Sequence, residues 1–166
     1  MRAAFFDFDH TLLGADSNQL WLEHLDARGL LAPDALARHD AYMRAYAAGS
    51  LDFAELDVFR ASIDASLDPR RLQECRESCV RERLLPALAP RAPAVVAQLR
   101  EQGVLVVVVS ASREALVRPV LQRLGIEHLI AADSPHGAGL ARPCFGEGKV
   151  VHVEHALHSM GLSLGG

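Results

Sequence analysis

Short apolar runs predict the strands of this chain. The first, from Ala3 to Phe6, passes directly into Asp7 and predicts a buried strand near the N-terminus. The second run, residues 104–109, is apolar at every position, which predicts a strand with both faces buried in a parallel sheet. A third, shorter strand is predicted at residues 128–132.

Between the first two predicted strands the pattern changes to helical spacing. Helices are predicted to begin at or near Ser17, Pro33, Asp52 and Asp68, each followed by apolar residues three or four positions apart. Residues 17–85 contain no strand pattern and are predicted to form an all-helical insert. Residues 1–16 and 86–166 then form an α/β core.

The rest of the chain alternates strands with helices. Helices are predicted from Pro93 to Gln102, from about Glu114 to Leu124 and from about Lys149 to Met160. Pro119 lies inside the second of these and is expected to kink it or to reduce its stability. The alternation predicts a parallel sheet with right-handed crossovers.

Two acids follow the first predicted strand. Residues two apart in an extended chain point the same way, so Asp7 and Asp9 are expected to face one site beyond the carboxyl end of that strand. Two close carboxylates need a proton or a cation between them, and Mg²⁺ prefers oxygen ligands. The alternative is that both acids are turn residues with solvated side chains.

Two later positions fit a phosphate site. Ser110 ends the second strand before a helix, where the backbone N–H groups of Ala111 and Ser112 would favour an anion. Lys149 is the only lysine in the chain and begins the last helix, where a cation is unfavourable unless an anion is bound. The alternatives are an ordinary strand end and an exposed lysine.

The Asp-x-Asp-x-Thr pattern of Asp7, Asp9 and Thr11 resembles the first motif of the haloacid dehalogenase superfamily. Ser110 and Lys149 resemble its second and third motifs. The wider sequence is similar to subfamily IB, the phosphoserine phosphatase-like branch that includes a histidinol-phosphatase-like group. The resemblance implies a Rossmann-like core, a helical cap inserted after the first strand, and Mg²⁺-dependent hydrolysis of a small phosphomonoester.

The resemblance also implies roles for the site residues. Asp7 is the nucleophile that becomes an aspartyl-phosphate, Asp9 is the general acid and base, and both belong to the Mg²⁺ site. Phosphate binding is implied for Thr11, Ser110, Ala111 and Lys149, with Thr11 also supporting the loop between the acids.

Contacts to the rest of the substrate are less defined. Asp16 matches an acid that contacts the substrate's amino group, although partnering the N-terminus of the helix at Ser17 explains it equally well. Arg44 or Arg60 is a candidate partner for a substrate carboxylate, and the spacing does not choose between them.

The fourth motif of the family, a strand ending in two acids that complete the Mg²⁺ site, is not found before Gly166. The core is therefore expected to be incomplete at its C-terminal side, Mg²⁺ binding to be weak, and the first strand to be an exposed edge that promotes homodimers or low stability. The alternative function is a truncated, impaired homologue acting as a non-enzymatic interaction protein or fragment. A phosphotransferase or phosphonatase is the rival within the enzyme class.

The family resemblance implies a small phosphorylated metabolite as the partner, and composition argues against other classes of partner. A net charge of −4 without a Lys/Arg cluster argues against nucleic acid, and no run approaches the ~20 apolar residues of a membrane span. Three cysteines and no signal-peptide pattern favour a reduced cytoplasmic protein, with Cys75 and Cys79 packing or free. His152, His155 and His158 could form a metal site, but a polar helix face is the favoured interpretation.

Overall fold

The computed structural model describes residues 2–133, 144, 146 and 148–159. Its strands are β1 (Arg2–Asp7), β2 (Val104–Val109) and β3 (His128–Ile130). Its α-helices are α1 (Ser17–Asp26), α2 (Ala35–Ala47), α3 (Phe53–Ala65), α4 (Pro69–Cys79), α5 (Ala92–Glu101), α6 (Glu114–Leu124) and α7 (Gly148–Ser159).

The strands form one parallel sheet in the order β1-β2-β3. The register of β1 against β2 runs from Arg2 beside Val104 to Asp7 beside Val109, so both strands end at the same level. β3 joins the other side of β2, with Val107 beside His128. The predicted α/β fold with a parallel sheet is confirmed, and the carboxyl end of β1 lies beside the start of the segment after β2.

Burial differs sharply between the two longer strands. Residues 106–109 of β2 are buried, as predicted, because β2 is paired on both sides. The prediction of a fully buried β1 is wrong, since every residue of β1 is exposed or half-buried. The physical reason is its position: within the described residues β1 pairs only with β2 and lies at the edge of the sheet.

The core beside the sheet combines residues from all three strands and from α7. Phe5, Leu105 and Val153 pack against a buried cluster consisting of Val107, Val109, Ile130, Cys144 and Ala156. This packing attaches α7, which carries Lys149, to the sheet. α6 runs from Glu114 to Leu124 and continues through Pro119. The expected loss of helix stability caused by Pro119 stays a prediction.

The chain divides into two compact units. One takes in the chain up to Ser17 and again from Leu84, and the other is Asn18–Arg83. In the second unit, Asp52 accepts hydrogen bonds from the first-turn N–H groups of α3, and Asp68 does so for α4. No described helix has the length and apolar character needed to cross a membrane.

Two details of this helical unit differ from prediction or refine it. α4 ends at Cys79, and a π-helical segment, Val80–Leu84, and a 3₁₀ turn, Leu85–Ala87, follow it. Cys75 and Cys79 are both free and buried. Burial raises the pKa of the Cys79 thiol to about 12, so it packs as an uncharged side chain.

A buried histidine organises one part of the helical unit. Nδ1 of His24 lies 3.0 Å from Nη1 of Arg28, and Nε2 lies 2.8 Å from Oγ of Ser78. Arginine only donates, so Nδ1 must accept and Nε2 carries the hydrogen. Ser78 in turn donates to the carbonyl of Cys75. This chain of donors requires a neutral imidazole.

Acid is expected to destabilise the fold through His24. Burial lowers its pKa, Arg28 and Arg83 lower it further, and Glu82 opposes them. Since the unfolded pKa is about 6.5, the stability contributed by neutral His24 is present above that pH and lost as the pH falls through the lower folded pKa. Urea unfolding of wild type and His24→Gln between pH 5 and 8 measures this.

The pH dependence of the unfolding free energy should be weaker in His24→Gln than in wild type. His155→Gln changes an exposed histidine of α7 and is the matched control. Equal loss of stability at low pH in wild type and His24→Gln would show that another group is responsible.

Candidate active site

A tight turn after β1 carries the first acidic motif. The carbonyl of buried Phe8 accepts hydrogen bonds from the N–H groups of Thr11 at 3.3 Å and Leu13 at 2.9 Å. His10 has a positive φ of 56°, a backbone conformation that residues other than glycine rarely adopt. The turn is further attached to residues 87–89, because Gly14 N–H donates to the Ala87 carbonyl. These contacts hold Asp9 close to the end of β1.

Asp7 and Lys149 form an ion pair between residues distant in sequence. Nζ of Lys149 donates to Oδ2 of Asp7 at 2.5 Å, and the N–H of Phe8 donates to Oδ1 at 2.8 Å. The Asp7 side chain is 44% exposed, and that of Lys149 is 25% exposed. The pair leaves Asp7 both oriented and accessible, which suits a nucleophile or a metal ligand.

Asp9 lies in a more sheltered environment than Asp7. Its Oδ1 accepts from the N–H of Ser17 at 2.7 Å, and its Oδ2 accepts from Oγ of Ser112 at 2.6 Å. Burial raises the pKa of the Asp9 carboxyl above its ordinary value, with a further rise from Asp16, while the hydrogen bonds from Ser112 and Ser17 oppose the shift. A carboxyl group with a raised pKa is suited to proton transfer.

Ser110 lies at the same end of the sheet as Asp7. It directly follows Val109, the residue paired with Asp7, and its N–H donates to the Ile130 carbonyl at 2.8 Å. Its side chain is buried, and its Oγ accepts from the N–H of Ser112 at 3.0 Å. The hydroxyl therefore keeps its own proton for donation to another group.

The helix after Ser110 starts where the sequence predicts it to start. α6 begins at Glu114, so half-buried Ala111 and buried Ser112 lie in the connecting turn. The N–H of Glu114 already donates to Oδ1 of Asp133 at 2.8 Å. Any anion site at Ser110 would therefore rely on this turn more than on the first N–H of α6.

The remaining predicted residues lie in varied surroundings. Thr11 is exposed in the turn, and half-buried Asp16 is close enough to influence Asp9 electrostatically. Arg44 is exposed and Arg60 is buried, both within the helical unit.

The polar-face prediction for α7 is wrong for His152. This residue is buried, because it lies on the packed face of the helix, whereas His155 and His158 are exposed. Across the described ranges, no group of three or more His, Cys, Asp or Glu side chains is arranged to hold a metal ion.

Sequence reasoning missed the hydroxyl groups of Ser17 and Ser112. The sequence predicts Ser17 only as a helix start and Ser112 only as a backbone donor, yet both hydroxyls belong to the hydrogen-bond network of Asp9. The available signal was the second serine of Ser110-Ala111-Ser112, which matters once β1 and β2 are known to be neighbours.

Comparison with known proteins shows the protein family to which the chain belongs. Residues 4–165 match the family model of haloacid dehalogenase-like hydrolases, and the chain belongs to this family. A protein of unknown function from Bordetella pertussis Tohama I has a similar solved structure, with a TM-score of 0.82 and 34% identity over 98% of this chain and 77% of that one.

Two further relatives carry enzymatic names. A histidinol-phosphatase from Neisseria meningitidis is 26% identical over 169 residues, covering 97% of this chain and 76% of the relative. A phosphoserine phosphohydrolase-like protein from Francisella tularensis shares the fold, with a TM-score of 0.62 and 21% identity over 79% of this chain and 58% of that one. The family predicted from the sequence motifs is thus confirmed, and the protein is a phosphatase-like hydrolase of that family.

Proposed function

We propose that this protein hydrolyses a small phosphomonoester, of the phosphoserine or histidinol-phosphate kind, through an aspartyl-phosphate with Mg²⁺ as cofactor. The observation that carries the proposal is the pairing of accessible Asp7 with Lys149, beside sheltered Asp9. The name of the Neisseria relative, histidinol-phosphatase, supports this substrate class.

In the first step, a carboxylate oxygen of Asp7 attacks phosphorus and the bond from phosphorus to the ester oxygen breaks. Asp9 gives its proton to the departing oxygen, which leaves as an alcohol. The raised pKa of Asp9 supports this role, because burial favours the protonated form that the step consumes.

In the second step, water attacks the aspartyl-phosphate. Asp9, now ionised, takes a proton from the water, and the Asp7–phosphorus bond breaks to release inorganic phosphate. We assign the phosphoryl oxygens to Ser110, Ala111 and Lys149, which supply a hydroxyl, a backbone N–H and a positive charge.

Two further assignments belong to the same proposal. Thr11 would support the turn between the acids and the phosphate, although its side chain is exposed. Asp16 would bind a substrate amino group, since its charge lies near the site and already acts on Asp9.

The donors at the site suit a hard cation but are few. Mg²⁺ would take a carboxylate oxygen of Asp7 and the backbone carbonyl of Asp9, because both carboxylate oxygens of Asp9 already accept hydrogen bonds. When bound, the cation would neutralise charge on the phosphoryl group.

Substitution of the two acids tests the chemistry. Asp7→Asn should abolish Mg²⁺-dependent hydrolysis, and Asp9→Asn should lower it by about 10²- to 10⁴-fold, because an amide neither attacks phosphorus nor exchanges protons. Release of inorganic phosphate from phosphoserine, histidinol phosphate and 4-nitrophenyl phosphate gives the rates.

An exposed acid of the helical unit supplies the control. Asp57→Asn removes a carboxylate of α3 and should retain the wild-type rate. Wild-type turnover by Asp7→Asn would assign the activity to a contaminant or to another site.

Mg²⁺ is expected to bind weakly. Among the described residues no group of three or more His, Cys, Asp or Glu side chains is arranged to hold a metal ion, and a cation that keeps most of its water gains little from binding. Calorimetric titration of wild type and Asp7→Asn with MgCl₂ measures the affinity. Tight binding that survives in Asp7→Asn would place the ion elsewhere.

A non-catalytic interaction role is the second candidate, and the edge of the sheet favours it. β1 pairs on one side only within the described residues, and Phe5 and Phe6 are half-buried there. Unpaired strand edges attract further strands, so we propose a homodimer formed through β1.

The unpaired edge of β1 leads to a prediction about the oligomeric state. Wild type should be dimeric by sedimentation velocity or light scattering, and Ala4→Pro in β1 should shift it toward monomer, because proline removes a backbone donor. The control is Ala61→Ser, a conservative change at an exposed position of α3, which should leave the wild-type oligomeric state unchanged. A proline is not used at this position because it would disrupt the helix. A monomeric wild type would exclude the dimer.

The proposed setting is the cytoplasm, supported by three free cysteines. The proposed partner is a small phosphorylated metabolite, supported by the phosphatase relative and by a net charge of −4, which argues against a nucleic-acid partner.

A further inference from the structure

We propose that Ser112 is a positioning residue that holds the carboxylate of Asp9 in the orientation needed for proton transfer, with Ser17 holding Ser112 in turn. The inference rests on the proposed function, because it assigns Asp9 as the general acid. It concerns the two serine hydroxyls, which the three sequence motifs do not include.

The hydroxyls form a directed chain that ends on the acid. Oγ of Ser17 donates to Oγ of Ser112 at 2.9 Å, and Oγ of Ser112 donates to Oδ2 of Asp9 at 2.6 Å. Both serines are fully buried, so water does not substitute for either hydroxyl. A short hydrogen bond to a carboxylate is stronger than one between neutral groups.

The carboxylate of Asp9 is restrained at both oxygens. Ser17 supplies its backbone N–H to Oδ1 at 2.7 Å, while Ser112 supplies its hydroxyl to Oδ2. Two donors on different oxygens oppose rotation of the carboxylate about the Cβ–Cγ bond. If the Ser112 hydroxyl is removed, only the Ser17 N–H remains of these two donors.

Ser112 also touches the proposed phosphate site through a different atom. Its backbone N–H donates to Oγ of Ser110 at 3.0 Å, which leaves the Ser110 proton available for a phosphoryl oxygen. This backbone contact survives any change of the Ser112 side chain. The effect of the hydroxyl on Asp9 can therefore be measured separately from the effect on Ser110.

The predicted signature is a dependence on the leaving group. An alkoxide is a poor leaving group and needs a proton from Asp9, whereas 4-nitrophenolate departs with little help. A misplaced Asp9 should therefore slow alkyl phosphates selectively, and a general loss of fold or of phosphate binding would slow both substrates alike. The ratio kcat/KM reports the steps up to departure of the leaving group in each case.

The experiment compares phosphoserine with 4-nitrophenyl phosphate. In Ser112→Ala, kcat/KM for phosphoserine should fall about 10- to 100-fold, that for 4-nitrophenyl phosphate less than about threefold, and KM should stay within about twofold. Ser17→Ala keeps the backbone donor to Asp9 and should show the same selectivity at about two- to fivefold. Ser112→Thr restores a hydroxyl and should recover most of the phosphoserine rate.

Ser62→Ala makes the same change in α3, where the hydroxyl donates to the Phe59 carbonyl, and should leave both rates unchanged. Equal losses on both substrates in Ser112→Ala, or no loss on either, would overturn the proposal. So would a Ser112→Thr variant that folds like wild type and remains as slow as Ser112→Ala.

A crystal structure of Ser112→Ala tests the same idea without turnover. Because the Ser17 N–H still restrains Oδ1, the Asp9 carboxylate should rotate about the Cβ–Cγ bond so that Oδ2 leaves its wild-type position, and an unchanged position of Oδ2 would contradict the positioning role. Failure of the proposed function is a separate result, since it would appear as wild type lacking phosphatase activity or as Asp7→Asn retaining it.

Discussion

The parallel pairing of β1 with β2 is the constraint on which the candidate site depends. Its register sets Asp7 beside Val109, so the turn after β1 and the turn after β2 emerge at the same edge of the sheet. Backbone hydrogen bonds fix this register along the length of β1, and a slip by one residue would turn every side chain of the strand to the other face. The contact between Asp9 and Ser112 follows from that register.

The two acids of the first motif differ in exposure and in hydrogen-bond partners because different segments of the chain surround them. Asp7 ends a strand at the sheet edge and meets the charge of Lys149, whereas Asp9 lies inside a turn closed by Phe8 and by two serines. One carboxylate is therefore accessible and ion-paired, and the other is sheltered with a raised pKa. When two neighbouring carboxyl groups lie in environments this different, one can act as a nucleophile and the other can transfer protons.

Position in the sheet also explains why β1 is not buried as its apolar run predicts, although the missing fourth motif already led to the expectation of an exposed edge. β1 and β2 are both apolar, yet β2 is buried by neighbours on two sides while β1 is half-exposed along one edge. Apolar content predicts that a segment forms a strand, but its burial depends on which strands lie next to it. α7 is a similar case, because packing against the sheet buries His152 while the polar pattern of the helix suggested an exposed face.

The sequence by itself determined the strands, most helix starts and the family, since apolar runs, Asp52, Asp68 and the spaced acids are local signals. It also indicated Asp7, Ser110 and Lys149 as site residues, whose catalytic roles stay predictions. Only the tertiary structure decided the hydroxyl chain from Ser17 through Ser112 to Asp9 and the π-helical segment that follows α4. These features depend on contacts between segments up to 103 residues apart, and such contacts leave no periodic trace in the sequence.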